Sequence, residues 1–303
     1  MKRDLKWAGS TVGEPWWIIG DITRRLLEPE GYSVEVLTQS AADENPRFVG
    51  RGKADFGVVV EQIVGWAVKG EHNFTGEEFV PLRAIARLSR PAWLGVAARH
   101  ELGFTSMAEL AASDYPVRVE THAWDSIGSL LHREYLAYHG LTKEAIEARG
   151  GTVRNFGKGG DLRAGDVDLI VANLYLGRTA VTKHWMTASE HLNLRFFDID
   201  DGLLAQYVAE GNGKPGEIPF HFLRGIDRPV KALEREFGLI IYCPADLDED
   251  FVHDLTKLYD TNRGMFFNQS LHMAWDPGRV ARTNPPLDLH PGAERYYREV
   301  GIL

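Results

Sequence analysis

Twice along the chain, short apolar runs of strand length alternate with amphipathic runs of helix length, and this alternation decides the class of fold. In the first series Leu5–Ala8, Tyr32–Leu37 and Asp55–Val60 read as strands, with helices predicted at Trp16–Leu27 and Asn45–Gly52. Leu82–Leu88 and Trp93–Ala98 add two more strands. The series then restarts, with strands at Val117–Glu120, Thr152–Phe156, Val167–Ala172 and Arg195–Ile199 and helices at Ser126–His139 and Asp161–Ala164. Strands joined through helices run mainly parallel, and the helices cover both faces of their sheet. Such a pattern met twice in 303 residues predicts an α/β protein of two lobes. Lobe 1 is expected to combine residues 1–92 with 243–303, and lobe 2 to hold 93–242. Trp93–Ala98 and Phe237–Tyr242 serve in this reading as the two crossing strands of a hinge. Residues 211–229, opening with Gly211-Asn212-Gly213-Lys214-Pro215-Gly216, read as loop, and Asp248–Thr261 as a helix.

Several function classes drop out on composition. A net charge of −9 without a basic stripe argues against nucleic acid, which needs clustered cations. One cysteine, Cys243, excludes an internal disulfide and a cysteine-based metal cluster, and reads as a packed thiol. The histidines are scattered without metal-ligand spacing, so no metal is expected. Gly157-Lys158-Gly159-Gly160 lacks the companion residues of a phosphate loop, and no cofactor is expected. The runs Phe56–Val60 and Phe237–Tyr242 are too short to cross a bilayer as helices. Met1-Lys2-Arg3 is basic, but Asp4-Leu5-Lys6 follows and no apolar leader segment appears. A periplasmic location is expected if a leader has been removed, and a cytoplasmic one otherwise.

The final stretch, Leu289-His290-Pro291-Gly292-Ala293-Glu294-Arg295-Tyr296-Tyr297-Arg298-Glu299-Val300-Gly301, resembles the terminal signature of the TAXI-family receptors of TRAP transporters. Asn45-Pro46-Arg47-Phe48-Val49-Gly50-Arg51-Gly52-Lys53-Ala54-Asp55 is similar to that family's Asn-Leu-Arg-Leu-Leu-x-x-Gly-x-Ala-Asp run. Leu82-Arg83-Ala84-Ile85-Ala86 and Pro244-Ala245-Asp246-Leu247 fall at matching places, so the resemblance spans nearly the whole chain. It implies a two-lobed periplasmic-binding-protein type II fold. It also implies a small organic anion as ligand and a membrane permease as partner. The family's glycine-rich opening falls on Ala8–Trp17, with its paired tyrosines at Trp16 and Trp17. Its second-lobe Gly-Ser-Gly-Thr loop falls on Ala123-Trp124-Asp125-Ser126. Both loops have lost glycines and gained indoles, which points to a bulkier or aromatic carboxylate.

Gly9, Ser10 and Thr11 lie between a strand and a helix, where small residues let the backbone approach an anion at the helix N-terminus. Taken alone, the same residues read as a plain turn and cap. Trp16 and Trp17 point about 100° apart on a helix, so one can pack inward while the other faces a ligand. Thr121, His122, Trp124 and Ser126 form the equivalent turn of the second series, with Asp125 or Ser126 also able to cap its helix. Arg90 can hold a carboxylate bidentately. Glu61, Asn173 and Tyr175 follow strands and are candidate polar contacts, and His221 is placed in a loop over the cleft mouth. The first reading is therefore a solute receptor that closes on an organic acid. The alternative is a leaderless cytoplasmic enzyme on the same fold, a decarboxylase or dehydratase of an aromatic or cyclic acid. Its acid–base groups would be His122, Glu61 and Asp125.

Overall fold

Two units emerge from the chain, unit 1 from Met1–Arg90 with Phe237–Leu303 and unit 2 from Pro91–Glu236. The computed structural model describes residues 4–38, 42–88, 92–156, 166–176, 180–235, 238–267, 274–282 and 287–303. The expected helix Asp161–Ala164, the Gly157–Gly160 run and Arg90 lie outside the described residues.

Unit 1 begins with β1 (Asp4–Ala8), α1 (Pro15–Leu27), β2 (Ser33–Leu37), α2 (Glu44–Gly50), β3 (Phe56–Val60), α3 (Glu61–Lys69) and β4 (Leu82–Leu88). Residues 56–59 of β3 are wholly buried, because the strand is covered on both faces. Trp7 packs edge-on against Phe56 at 5.3 Å and is fully buried. Unit 2 carries β5 (Ala92–Arg99), α4 (Met107–Ala112), β6 (Arg118–Thr121), α5 (Leu130–Tyr138), α6 (Lys143–Ala148), β7 (Thr152–Asn155) and β8 (Leu169–Tyr175). It continues through α7 (Ala180–His191), β9 (Leu194–Phe196), α8 (Asp201–Ala209), β10 (Lys214–Ile218) and β11 (Val230–Arg235). The chain then re-enters unit 1 with β12 (Leu239–Pro244), α9 (Glu249–Thr261), α10 (Gly264–Phe267) and α11 (Pro291–Glu299). No described helix is long and apolar enough to cross a membrane.

The unit 1 sheet has the order β2-β1-β3-β12-β4, with β1, β2 and β3 parallel and β12 antiparallel to both neighbours. This corrects the expected hinge. Residues 239–242 do not belong to the second lobe; they form ladders with β3 and β4 inside unit 1. β5 likewise lies within the unit 2 sheet, whose path is β10-β11-β5-β8-β6-β7 with β9 also on β5. There β6, β7 and β8 are parallel, and β5 pairs antiparallel with β8, β9 and β11. One face packs Leu131, Tyr135 and Leu136 of α5 against Val119 and Val171. The other packs Trp185 and Ala188 of α7 against Ile170 and Ala172.

The 211–229 stretch is not all loop. Lys214–Ile218 pairs with β11 as the outermost strand, and an edge position tolerates Pro215 because its missing N–H need not enter a ladder. Pro215 and Gly216 hid that strand from the sequence pattern.

The terminal signature is a structural clasp. His290 accepts the Gly292 N–H through Nδ1 at 3.2 Å, and Pro291 starts α11. Gly292 lies against α9 so closely that a Cβ would stand 2.2 Å from the Glu249 carbonyl oxygen. Arg295 bonds Glu249 at 3.1 Å and Asp250 at 2.7 Å, and the Tyr297 hydroxyl donates to the Ile85 carbonyl at 2.9 Å. His253 on α9 holds Glu299 at 2.8 Å, and that bond raises its pKa above the ordinary 6.5.

Gly292→Ala is expected to lower stability by about 1–3 kcal/mol, because the added methyl meets backbone; urea unfolding measures it. His253→Gln should cost at most about 1 kcal/mol. With the folded pKa raised, the bond's contribution is full below pH 6.5 and fades as pH rises through the folded value. The difference from the parent should therefore be present in unfolding curves at pH 5.5 and vanish by pH 9, on the order of two units above the histidine range.

Candidate functional site

In unit 1 the chain leaves the carboxyl end of β1 and turns through Gly9–Glu14 into α1. Gly9 is buried, its N–H bonded to the Leu37 carbonyl at 3.2 Å, and Gly13 sits at φ 85°, a conformation that favours glycine. Ser10 Oγ accepts the Trp17 N–H at 3.3 Å, so its oxygen caps the third helical residue. Pro15 stands first in the helix, where its missing N–H costs nothing. Thr11 and Val12 are exposed, while Trp16 and Trp17 are both half-buried, so neither indole is a core residue.

Glu61, expected as a ligand contact, is otherwise engaged. It starts α3 beyond β3, is 6% exposed, and accepts a hydrogen bond from Arg87 Nε. Arg87 also donates to the carbonyls of Arg282 and Leu287, the latter at 2.7 Å. The pair ties β3, β4 and the C-terminal segment together. Burial pushes the Glu61 pKa up against the opposing pull of Arg87.

In unit 2, Thr121 ends β6 and the turn continues through His122, Ala123, Trp124, Asp125 and Ser126. Ser126 Oγ lies 3.1 Å from Ser129 Oγ, and Ser129 donates to the Ala123 carbonyl at 2.6 Å. Arg133 closes the turn by donating to the carbonyls of Trp124 and Ser126. Trp124 is half-buried against the α5-side core, so its indole is partly structural. The His122 ring stacks on His132 at 5.1 Å and meets the Phe156 edge at 5.6 Å.

Asn173 and Tyr175 close β8 and are 7% and 8% exposed. Asn173 Oδ1 accepts from Arg235 Nη1 at 2.9 Å and faces His132 Nε2 at 3.3 Å. The Trp185 indole N–H also donates to its backbone carbonyl at 3.0 Å. On the opposite face, buried Glu120 pairs with His184 at 3.1 Å and Arg154 at 3.5 Å. His221 sits in a loop whose next residue, Phe222, packs edge-on against Trp93 at 5.5 Å. It lies between β10 and β11, at the amino end of β11, whereas Arg235, Asn173 and Thr121 mark the carboxyl ends.

Thus unit 1 gathers Gly9, Ser10, Thr11, Trp16 and Trp17 at one turn, with Glu61 held by Arg87. Unit 2 gathers Thr121, His122 and Asn173 with His132 and Arg235, two residues that the sequence reading missed. His132 was one of many scattered histidines, and Arg235 closes a strand adjoining a stretch read as loop. Among the described residues no three potential metal ligands converge. An open depression of about 380 Å³ in unit 1, lined by Lys69, Phe79, Arg83 and Leu287, sits at the amino end of β4, the opposite pole of that sheet from the β1 turn.

Residues 8–301 match the NMT1-like family, and the chain belongs to that family. Among solved structures it is similar to XAC2383 from Xanthomonas citri bound to chloride ion, at 11% identity and a TM-score of 0.51, covering 99% of this chain and 98% of that chain. PhnD1 from Prochlorococcus marinus in complex with methylphosphonate is 11% identical over 99% of both chains, at a TM-score of 0.49. The glycine betaine, L-proline-binding protein ProX from Borrelia burgdorferi is 13% identical over 86% of this chain and 88% of that chain, at 0.44. No curated protein sequence matches the chain. The fold is that of periplasmic binding proteins.

Glu61→Ala should remove one partner of the buried pair and cost about 3–5 kcal/mol. Denaturant unfolding of the variant against the parent checks this.

Proposed function

We propose that this NMT1-like chain is a solute receptor whose two units close on a small organic acid with a bulky or aromatic body. The observation that carries the reading is that both units place a tight turn at the carboxyl end of a strand and lead it into helix. These are Gly9–Glu14 after β1 and Thr121–Ser126 after β6. Strand carboxyl ends are where open α/β sheets take ligands, and helix N-termini favour anions. The half-buried indoles of Trp16, Trp17 and Trp124 supply apolar area for a flat ligand body. The terminal signature supports the TAXI subgroup, a membrane permease as partner and a periplasmic site of action.

The enzyme reading has less behind it. Of its acid–base candidates, Glu61 is committed to Arg87 and Asp125 is exposed, which leaves His122 at the turn.

A thermal-shift screen with aliphatic and aromatic carboxylic acids, followed by mass analysis of each hit, tests the proposal. A receptor is stabilised and returns its ligand unchanged; loss of carbon dioxide or water from a hit would make the chain an enzyme. In the same assay Trp16→Ala should weaken binding of the best acid roughly tenfold, the loss of one stacking contact, while the melting temperature of the unliganded protein falls little. Unchanged affinity with a much lower melting temperature would assign that indole to packing.

A further inference from the structure

At the carboxyl end of β6, on the α5 face of the unit 2 sheet, two side chains are fully buried with hydrogen-bonding atoms unused. Val119 and Val171 pack on the α5 side and Glu120 meets His184 of α7 on the other, so alternation turns Thr121 and Asn173 toward α5. His132 reaches Asn173 from α5 itself.

The bonds around Asn173 fix what His132 can offer. An arginine only donates, so the Asn173 atom 2.9 Å from Arg235 Nη1 is the amide oxygen. An amide oxygen only accepts, so the His132 Nε2 that faces it at 3.3 Å carries the imidazole proton. Burial, aided by the neighbouring charges of His122, Arg235 and Arg133, pushes the His132 pKa well below 6.5, and the ring stays neutral. Nδ1 is therefore an acceptor. Among the described residues it has no donor, and Thr121 Oγ1 has no partner of either kind. Buried polar atoms in native proteins are nearly always satisfied, so two left in this state point to a molecule that the chain binds.

The two atoms make complementary demands. A neutral imidazole nitrogen takes a proton, and a threonine hydroxyl can give one. One hydroxyl group answers both, donating to Nδ1 while its oxygen accepts from Thr121. An ammonium could donate to both atoms, but the positive field that disfavours a charged His132 disfavours it too. A carboxylate only accepts and would leave Nδ1 unmet.

We propose that His132 and Thr121 read a hydroxyl group on the ligand, which enters as the half-exposed His122 ring leaves its 5.1 Å stack on His132, so that the solute is a hydroxy acid. This rests on the reading of the chain as an acid receptor, and the test separates the two.

Calorimetry compares benzoate with salicylate, 3-hydroxybenzoate and 4-hydroxybenzoate, and hexanoate with 2-hydroxyhexanoate, 6-hydroxyhexanoate and norleucine. The proteins are the parent, Thr121→Val and His132→Phe, with circular dichroism to establish folding. The parent should bind at least one hydroxy acid about a hundredfold or more tighter than its plain skeleton, because the analogue without the hydroxyl leaves buried polar atoms unpaired. In both variants that preference should fall below about tenfold, through loss of the hydroxy acid's affinity alone. In histidine-labelled parent, the hydroxy acid and not the plain acid should move the His132 Nδ1 nitrogen resonance toward that of a hydrogen-bonded ring. Equal binding of hydroxy and plain acids, or a preference kept in the folded variants, overturns the assignment while leaving an acid receptor. So does norleucine binding more tightly than 2-hydroxyhexanoate, or an Nδ1 resonance that no acid moves. Binding of no acid at all overturns both. Should a variant fail to fold, the parent's preference and its Nδ1 resonance decide alone.

Discussion

The unit 1 sheet cannot close without β12, which supplies both a partner for β4 and the link from β4 to β3. Leu239 pairs with Leu88, although roughly 150 residues separate them, and closing so long a loop has an entropic cost that grows with the logarithm of its length. Unit 2 removes most of that cost. Its own ladder sets Arg235 beside Ala92, so once it has formed, its two chain ends leave from neighbouring strands. The contacts that build unit 2 therefore also prepare the register of unit 1. The clasp of α11 on α9, and the Arg87 bonds to the carbonyls of Arg282 and Leu287, then fasten the last segment to a sheet that is already complete.

Much of this was legible in the sequence because burial writes itself into composition. The run Phe56–Val60 is apolar at every position because both faces of β3 are covered, and Trp16–Leu27 carries the spacing of a helix with one buried side. Where a strand is half exposed and interrupted, the signal fails. β10 contains Lys214, Pro215, Gly216 and Glu217, and only its position at the sheet edge makes those residues acceptable. Assigning 239–242 to the second lobe failed for a different reason. An apolar run of six is equally at home in either sheet, and partner choice depends on ladders that sequence spacing does not encode.

The site was legible as turns and less so as side chains. Gly9, Ser10 and Thr11 stand at the strand-to-helix turn that their small size suggested. Charged and amide groups were harder to place, since a carboxylate at a strand end looks the same whether it awaits a ligand or meets an arginine from the next strand but one. Glu61 belongs to the second kind: its partner Arg87 sits within a strand that otherwise reads as core. Asn173 sits between His132 and Arg235, residues 41 and 62 positions away, a separation that no local pattern reaches.

The clasp also bears on how chains of this kind are sorted. The residues that make the terminal sequence distinctive, from His290 to Tyr297, contact α9, β4 and each other, and none belongs to either turn. Their identity is dictated by how unit 1 is fastened. Proteins gathered by that terminal sequence would share a manner of closing a sheet while differing freely in cargo, and a classification by cargo would have to be read from the turns after β1 and β6 instead.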